Sequence, residues 1–367
     1  MSGQTQFFPS RTLSWYMARL FIVRTIAVLG GLVLILQTLD MLGESGKILS
    51  YAGNGDAELW RYAGLRVPQI IARFLPFSVL LSTLITLATL NQNSEIIAMK
   101  GAGISAHQIL APLVVASLGI AIIAFAFNDR VVVRSIKALN DWEAADYGPV
   151  PRGSLTINNI WVRDNDDLVH AETVTGRGDN TRITHIEIFE RNGGELIATT
   201  KAEGAVRDGN GWRLTGAMDR FDVIRGVPVP RTTPHFGDGI TPDQFALSNI
   251  KADENAFRPL LRAIHNLERA GRPTSALRAG LWHKISGPLS ITLMPLLAGV
   301  AAFGLARSGK LFLRAVIGMG LGFAYFVADN FALAMGNLGA YPGWLAAWAP
   351  FMLFLMIGEL VLVMTEE

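Results

Sequence analysis

Apolar and polar residues are segregated along this 367-residue chain, with long apolar blocks toward both ends and a polar middle from about Asp129 to Gly280. A membrane-crossing helix needs roughly 20 mainly apolar residues to cover about 30 Å of hydrocarbon. Six stretches meet that length: about 20–42, 68–90, 107–128, 283–305, 313–335 and 344–364. Pro76, Pro288 and Pro295 fall inside them and predict kinks, which membrane helices tolerate because neighbouring groups re-satisfy the freed carbonyls.

In the polar middle the period changes. Leu155/Ile157, Ile160/Val162, Ile186/Ile188, Trp212/Leu214 and Phe221/Val223 alternate with period two. Turn sequences such as Asn192-Gly193 and Asp208-Gly209-Asn210-Gly211 separate these short segments. No helical pattern lies between them, so antiparallel strands in a sandwich or jellyroll are expected. Past Ile250 a helical period returns, with Leu260, Leu261, Ile264 and Leu267 on one face and Gly271 and Pro273 as stop signals.

The expected fold class is therefore an α-helical polytopic membrane protein with six transmembrane helices and an inserted all-β domain. The boundaries read as 1–128 for three spans, with a short loop helix at about 94–103, then 129–252 for the β-domain. A linker helix at 253–280 and three more spans at 281–367 complete the chain.

Charge then orients the spans. Arg11, Arg19 and Arg24 precede the first acid, Asp40, and the loop between spans four and five carries Arg307, Lys310 and Arg314. Both segments should be cytoplasmic by the positive-inside rule, which puts the β-domain outside. The first apolar run follows Arg11 and Arg19 as a signal peptide would, but it is too long for that and no small-residue cleavage site follows, so it reads as a retained helix.

Half of the residues are hydrophobic and 17% are charged, and the formal net charge of +2 includes no basic run of the kind that binds nucleic acid. The absence of cysteine excludes disulfides, Cys-based zinc sites and thiol catalysis. Gly304 to Lys310 has the spacing of a phosphate-binding loop, but Leu311 stands where Ser or Thr must hold magnesium and both flanks are spans. The six histidines, His107, His170, His185, His235, His265 and His283, are scattered over several elements, so no metal site or catalytic constellation is expected. The intramembrane polar residues Asp329 and Glu359 are functional candidates by default, against a helix-packing role. Gly318-x-x-x-Gly322 permits close helix approach.

The loop Asn91 to Gly103 is the most informative segment. Asn93 or Ser94 can cap a helix, Glu95 suits its first turn, and Gly101 and Gly103 can end it about two turns later. Ile96, Ile97 and Met99 on so short an element fit docking into a partner's groove, with a helix resting on the lipid interface as the alternative.

This loop, Ser94-Glu95-Ile96-Ile97-Ala98-Met99-Lys100-Gly101-Ala102-Gly103, resembles the LptF/LptG family, the permease subunits of the lipopolysaccharide exporter. The order of elements agrees over nearly the whole chain. Trp282-His-Lys-Ile-Ser-Gly-Pro-Leu289 and Phe326-Val-Ala-Asp-Asn330 look more like the LptG branch. The resemblance implies a non-catalytic permease of a Gram-negative inner membrane that extracts lipopolysaccharide and passes it to a periplasmic relay. Its implied partners are the paralogous permease LptF, two copies of the ATPase LptB, LptC including its transmembrane helix, and LptA. No cofactor is implied on this chain, since ATP and magnesium sit on the ATPase.

The loop helix would be the coupling element, through Ser94, Glu95, Ile96, Ile97, Met99, Lys100, Gly101 and Gly103. Arg61, Arg66, Arg73, Arg130, Arg134 and Lys137 lie near the outer boundary, where cations can meet lipid phosphates. Near the outer end of span one, where some members carry Lys, this chain has Gln37 and Asp40. Rival readings are a lipoprotein-release or mechanotransmission permease, and a membrane receptor or enzyme with an external β-domain.

Overall fold

The computed structural model describes residues 9–149, 157–176, 180–209, 211–229, 235–241, 250–269, 272–303 and 311–366. The segment 304–310 and Gly271 lie outside them. Two compact units result, Met1–Gly148 with Ala252–Glu367, and Pro149–Lys251.

The first unit is helical: α1 Arg11–Ser50, α2 Asp56–Gln92, α3 Glu95–Gly101, α4 Ala106–Phe127, α5 Val133–Glu143, α6 Phe257–Arg269, α7 Ser275–Leu289, α8 Met294–Phe303, α9 Leu311–Asn337 and α10 Gly343–Glu366. Among the described residues six helical stretches are long and apolar enough to cross a membrane, one for each stretch read from the sequence. They share a core that includes Val79, Leu87, Leu113, Leu297 and Ala298.

Several helices outrun their apolar runs. The third span does not stop at residue 128: a π turn at Asn128–Val132 joins α4 to α5, and the helix continues to Glu143. The reason is a buried stripe, Val132, Val133, Leu139 and Trp142, which keeps the extension packed although its other faces are polar. Leu139 and Trp142 form a small core with Ile48 near the end of α1, Tyr62 near the start of α2 and Tyr147 just past α5. The second compact unit consequently starts at Pro149, not at residue 129.

Span four is broken between its two prolines. A 3-10 turn at Ser290–Thr292 separates α7 from α8, because Pro295 has no N–H to donate back and Pro288 stands just before the turn. Span two carries Pro68 and Pro76 without interruption of its helix. Gly322 brings α9 against α2: a Cβ there would stand 2.2 Å from Leu80 Cδ2. In α6, Leu260, Ile264 and Leu267 are buried but Leu261 is half exposed, since it lies about 100° round the helix from Leu260.

The second unit is an antiparallel sheet: β1 Ile157–Asp164, β2 Asp167–Thr175, β3 Arg182–Asn192, β4 Glu195–Asp208, β5 Gly211–Asp222, β6 Val227–Pro228 and β7 His235–Phe236. The described strands pair in sequence order from β1 to β6, and β7 returns to β5. The β3–β4 turn has Gly193 and Gly194 both at positive φ, +60° and +89°, which a two-residue hairpin of this twist requires. Alternation puts Ile160, Val162, Val169, Ile186, Ile188 and Leu214 on one buried face. Phe221 and Val223 are exposed instead. Trp212 anchors the core: its side chain is fully buried and Nε1 donates to the Ile240 carbonyl at 2.9 Å. Trp212→Ala should destabilise this unit by about 3–5 kcal/mol. Thermal unfolding followed on the β-sheet signal would measure it, and a loss below about 1 kcal/mol would contradict that core assignment.

Candidate functional site

α1, α2 and the α4–α5 extension enclose a cleft of about 650 Å³. Apolar walls come from Leu36, Leu39, Ile70, Val132 and Ile136, and polar groups from Asp40, Arg66, Gln69, Arg73 and Asn128. A mostly apolar concavity with a few convergent polar groups is the general form of a small-ligand site. Cations beside apolar walls suit an amphiphile with an anionic head.

The two arginines differ in what they face. Arg66 donates from Nη2 to Asp40 Oδ1 at 2.9 Å and from Nε to Asp40 Oδ2 at 3.1 Å, while Tyr62 Oη donates to that same Oδ2 at 2.6 Å. A third donor, Arg66 Nη1, reaches Gln69 Oε1 at 3.2 Å. The fork of Arg66 is thus oriented and half neutralised. Arg73, one cleft wall further on, is exposed and forms no ion pair among the described residues, so its charge is available to a ligand.

The other expected cations are elsewhere. Arg61 stacks over the Trp142 ring, its Cζ 4.3 Å from the centroid. Arg130, Arg134 and Lys137 are exposed at positions offset from the cleft-lining 128, 132 and 136. Two positions of offset is about 200° on a helix, which turns Arg130 and Arg134 away from the cleft. Gln69 and Asn128 were not anticipated from sequence, because isolated amides carry no pattern. Asp40, at the position that weighed against a lipid contact, is the Arg66 counter-ion. The Gln37 amide is buried and lacks a hydrogen-bond partner among the described residues. Beside this rim, burial and then the hydrogen bond to Glu44 at 3.0 Å push the Tyr147 hydroxyl pKa up, so it stays a protonated donor.

The loop helix exists as α3, two turns between α2 and α4. Ser94 stands at its N-cap with φ +60°, and its side chain makes no capping bond; Gly103 follows the helix with φ +83°. Its exposure corrects the expectation that Ile96, Ile97 and Met99 all await a partner. Ile96 and Met99 are 7% exposed and belong to the chain's own core, together with Met17 and Leu90. Ile97 is 66% exposed and projects alone. The physical reason is the 3.6-residue period: 96 and 99 share one face, and that face meets the bundle. Glu95 is held by Tyr16 Oη at 3.4 Å and Asn93 Nδ2 at 3.3 Å, and Lys100 Nζ lies 5.1 Å over the Phe303 ring.

Both intramembrane acids have histidine neighbours. Glu359 Oε2 is 3.3 Å from His107 Nε2, joining α10 to the start of α4. Asp329 Oδ2 is 3.8 Å from His283 Nε2, across α7 and α9. Among the described residues there is no group of three or more potential metal ligands.

The model of the lipopolysaccharide export system permease LptF/LptG family matches residues 15–364. The chain belongs to that family. Curated relatives named LptG align with most of it. The lipopolysaccharide export system permease protein LptG of Escherichia coli (strain K12) is 25% identical over 346 residues, covering 92% of each chain. The protein of the same name from Haemophilus influenzae is 24% identical over 347 residues, 90% of this chain and 94% of its own. Six apolar helices, with an antiparallel sheet inserted between the third and fourth along the sequence, are accordingly what this LptF/LptG member carries.

Proposed function

We propose that the chain is an LptG-type permease subunit that takes lipopolysaccharide from the inner membrane and passes it to a periplasmic relay. The observation that carries the reading is the cleft, where Arg66 and Arg73 stand beside apolar walls contributed by α1, α2 and the α4–α5 extension. Anionic groups of the lipid head meet the arginine donors, for which phosphate oxygens are strong acceptors. Acyl carbons lie against Leu36, Leu39 and Ile136.

The chain itself is a non-catalytic subunit. A separate cytoplasmic ATPase, LptB in two copies with its ATP and magnesium, engages α3 chiefly through Ile97 and the polar edge formed by Ser94, Glu95 and Lys100. Gly101 and Gly103 let the loop leave that contact in a tight turn. LptF completes the permease, LptC contributes its transmembrane helix, and LptA receives the lipid. The arginine and lysine distribution of the short loops supports a cytoplasmic α3 and a periplasmic sheet unit in a Gram-negative inner membrane.

Tagged protein purified from native membranes should retain the paralogous permease, the ATPase and lipopolysaccharide, all read by mass spectrometry. Glu95→Lys should reduce ATPase retention at least about tenfold while the permease pair stays intact, because a reversed charge at a docking edge costs about 1.4 kcal/mol or more. Lipopolysaccharide export that continues after depletion of the chain, or ATPase retention untouched by Glu95→Lys, would overturn the reading.

A further inference from the structure

One cluster of buried polar groups has no part in the cleft or in α3. His283 lies eight residues after the start of α7, and Asp329 eight residues before the end of α9. At 1.5 Å per residue each is about 12 Å along its span, so antiparallel helices bring the two to one level. Ser286 follows His283 by one turn on α7, and Tyr325 precedes Asp329 by one turn on α9. Tyr325 is 4% exposed and Ser286 1%. His283 Nδ1, Ser286 Oγ and Asp329 Oδ1 are all buried and without a hydrogen-bond partner among the described residues, and the buried Tyr325 Oη faces the Ser290 hydroxyl. The His283–Asp329 separation of 3.8 Å is itself too long for a direct bond.

Each unsatisfied buried polar group costs about 1–3 kcal/mol, and hydrocarbon supplies no solvent to relieve it. Three of them on one interface, with the Tyr325 hydroxyl on the same helix as Asp329, are tolerable only if something small completes their bonding. Gly287 presents no side chain to the imidazole, where a Cβ would stand only 3.3 Å from His283 Nε2. A buried water typically makes about three hydrogen bonds to groups of this kind.

We propose that the α7–α9 interface is an internal hydration site, in which ordered water is held by Asp329, His283, Tyr325 and Ser286. Water in this position serves as donor to the carboxylate and as either donor or acceptor to the two hydroxyls and the imidazole. The contact between spans four and five is then one of exchangeable hydrogen bonds, unlike the close-packed seam at Gly318 and Gly322 against α2.

Radiolytic hydroxyl-radical footprinting of the full-length protein in lipid nanodiscs tests this, with rapid mixing into heavy-oxygen water just before exposure. Tyr62 is the internal control, 1% exposed against 4% for Tyr325 and already bonded to Asp40. Tyr325 should be modified several-fold faster than Tyr62, and its label should retain light oxygen from water bound before mixing. In an Asp329→Leu/His283→Leu double variant, Tyr325 modification should fall to the Tyr62 level. Asp329→Asn, which keeps a polar partner and guards against a misfolded double variant, should leave it within about twofold. Tyr325 modified no faster than Tyr62 in the native chain, or a double variant that folds and labels as the native chain does, would overturn the proposal. So would labelling that disappears when sodium and potassium are exchanged for choline, because a cation would then be the occupant.

Discussion

Ile97→Asp should abolish retention of the partner ATPase while leaving the permease as stable as the native chain. Ile97 is 66% exposed, so the substitution removes little internal contact and leaves the new charge in the open. A lone apolar knob on a two-turn helix is the form of an interface anchor, and truncating such an anchor typically costs 2 kcal/mol or more of binding, about thirtyfold in affinity. Met99→Asp is the matched contrast. Met99 is 7% exposed within the helical core, so a carboxylate there must either ionise in an apolar setting or stay protonated without a partner. A loss of about 4 kcal/mol or more is expected, seen as failure to accumulate in the membrane or as a large drop in detergent melting temperature. The pair separates docking from folding. Equal behaviour of the two variants, in either assay, would contradict the assignment of one residue outward and the other inward.

The second large effect belongs to the arginines of the cleft. Arg73→Ala should weaken lipopolysaccharide capture by about tenfold, the size of one charge-assisted hydrogen bond, with little change in melting temperature. Photo-crosslinking from a probe at Ile136, which lines the same cleft, would read the loss. Arg66→Ala should do more and for two reasons. It removes a ligand donor, and it strips Asp40 of both its guanidinium bonds, leaving the carboxylate with Tyr62 alone. The Arg66 and Asp40 side chains are 35% and 21% exposed, so water softens the second penalty to about 1–2 kcal/mol. Adding Asp40→Asn should recover that stability without recovering the lost donor. If the double variant were no more stable than Arg66→Ala, the ion pair would not be what holds the α1–α2 rim.

How much of this could be read along the chain differs from place to place. The β3–β4 hairpin was marked by Asn192-Gly193, because only residues that accept positive φ make that turn, and the backbone has both glycines there in that region. The sheet face followed from period-two alternation for Ile160, Val162, Ile186 and Ile188, which are buried together. Alternation failed at Phe221 and Val223, where β5 runs out between β4 and the short β6 and both side chains stay exposed. The candidate site was legible as a list of cations near one level, but not as a cleft. Of six, two line it, because which side of a helix faces a cavity depends on how neighbouring helices cross.

Six spans, their approximate limits and the presence of an inserted β-unit are properties of local composition, so the sequence alone determined them: hydrocarbon thickness and strand periodicity act on each segment independently. The sequence also determined that a short helix follows Asn93, since a first-turn acid and glycine stops are local, although the expected side-chain cap does not form. Tertiary structure alone decided that Ile96 and Met99 turn inward and Ile97 outward, that α4 continues past its apolar run to Glu143, and that Asp40 clasps Arg66. Each of these depends on a surface contributed by residues far away in the chain. A hydrophobic pattern says that a face must be covered, and only the packed helices say by what.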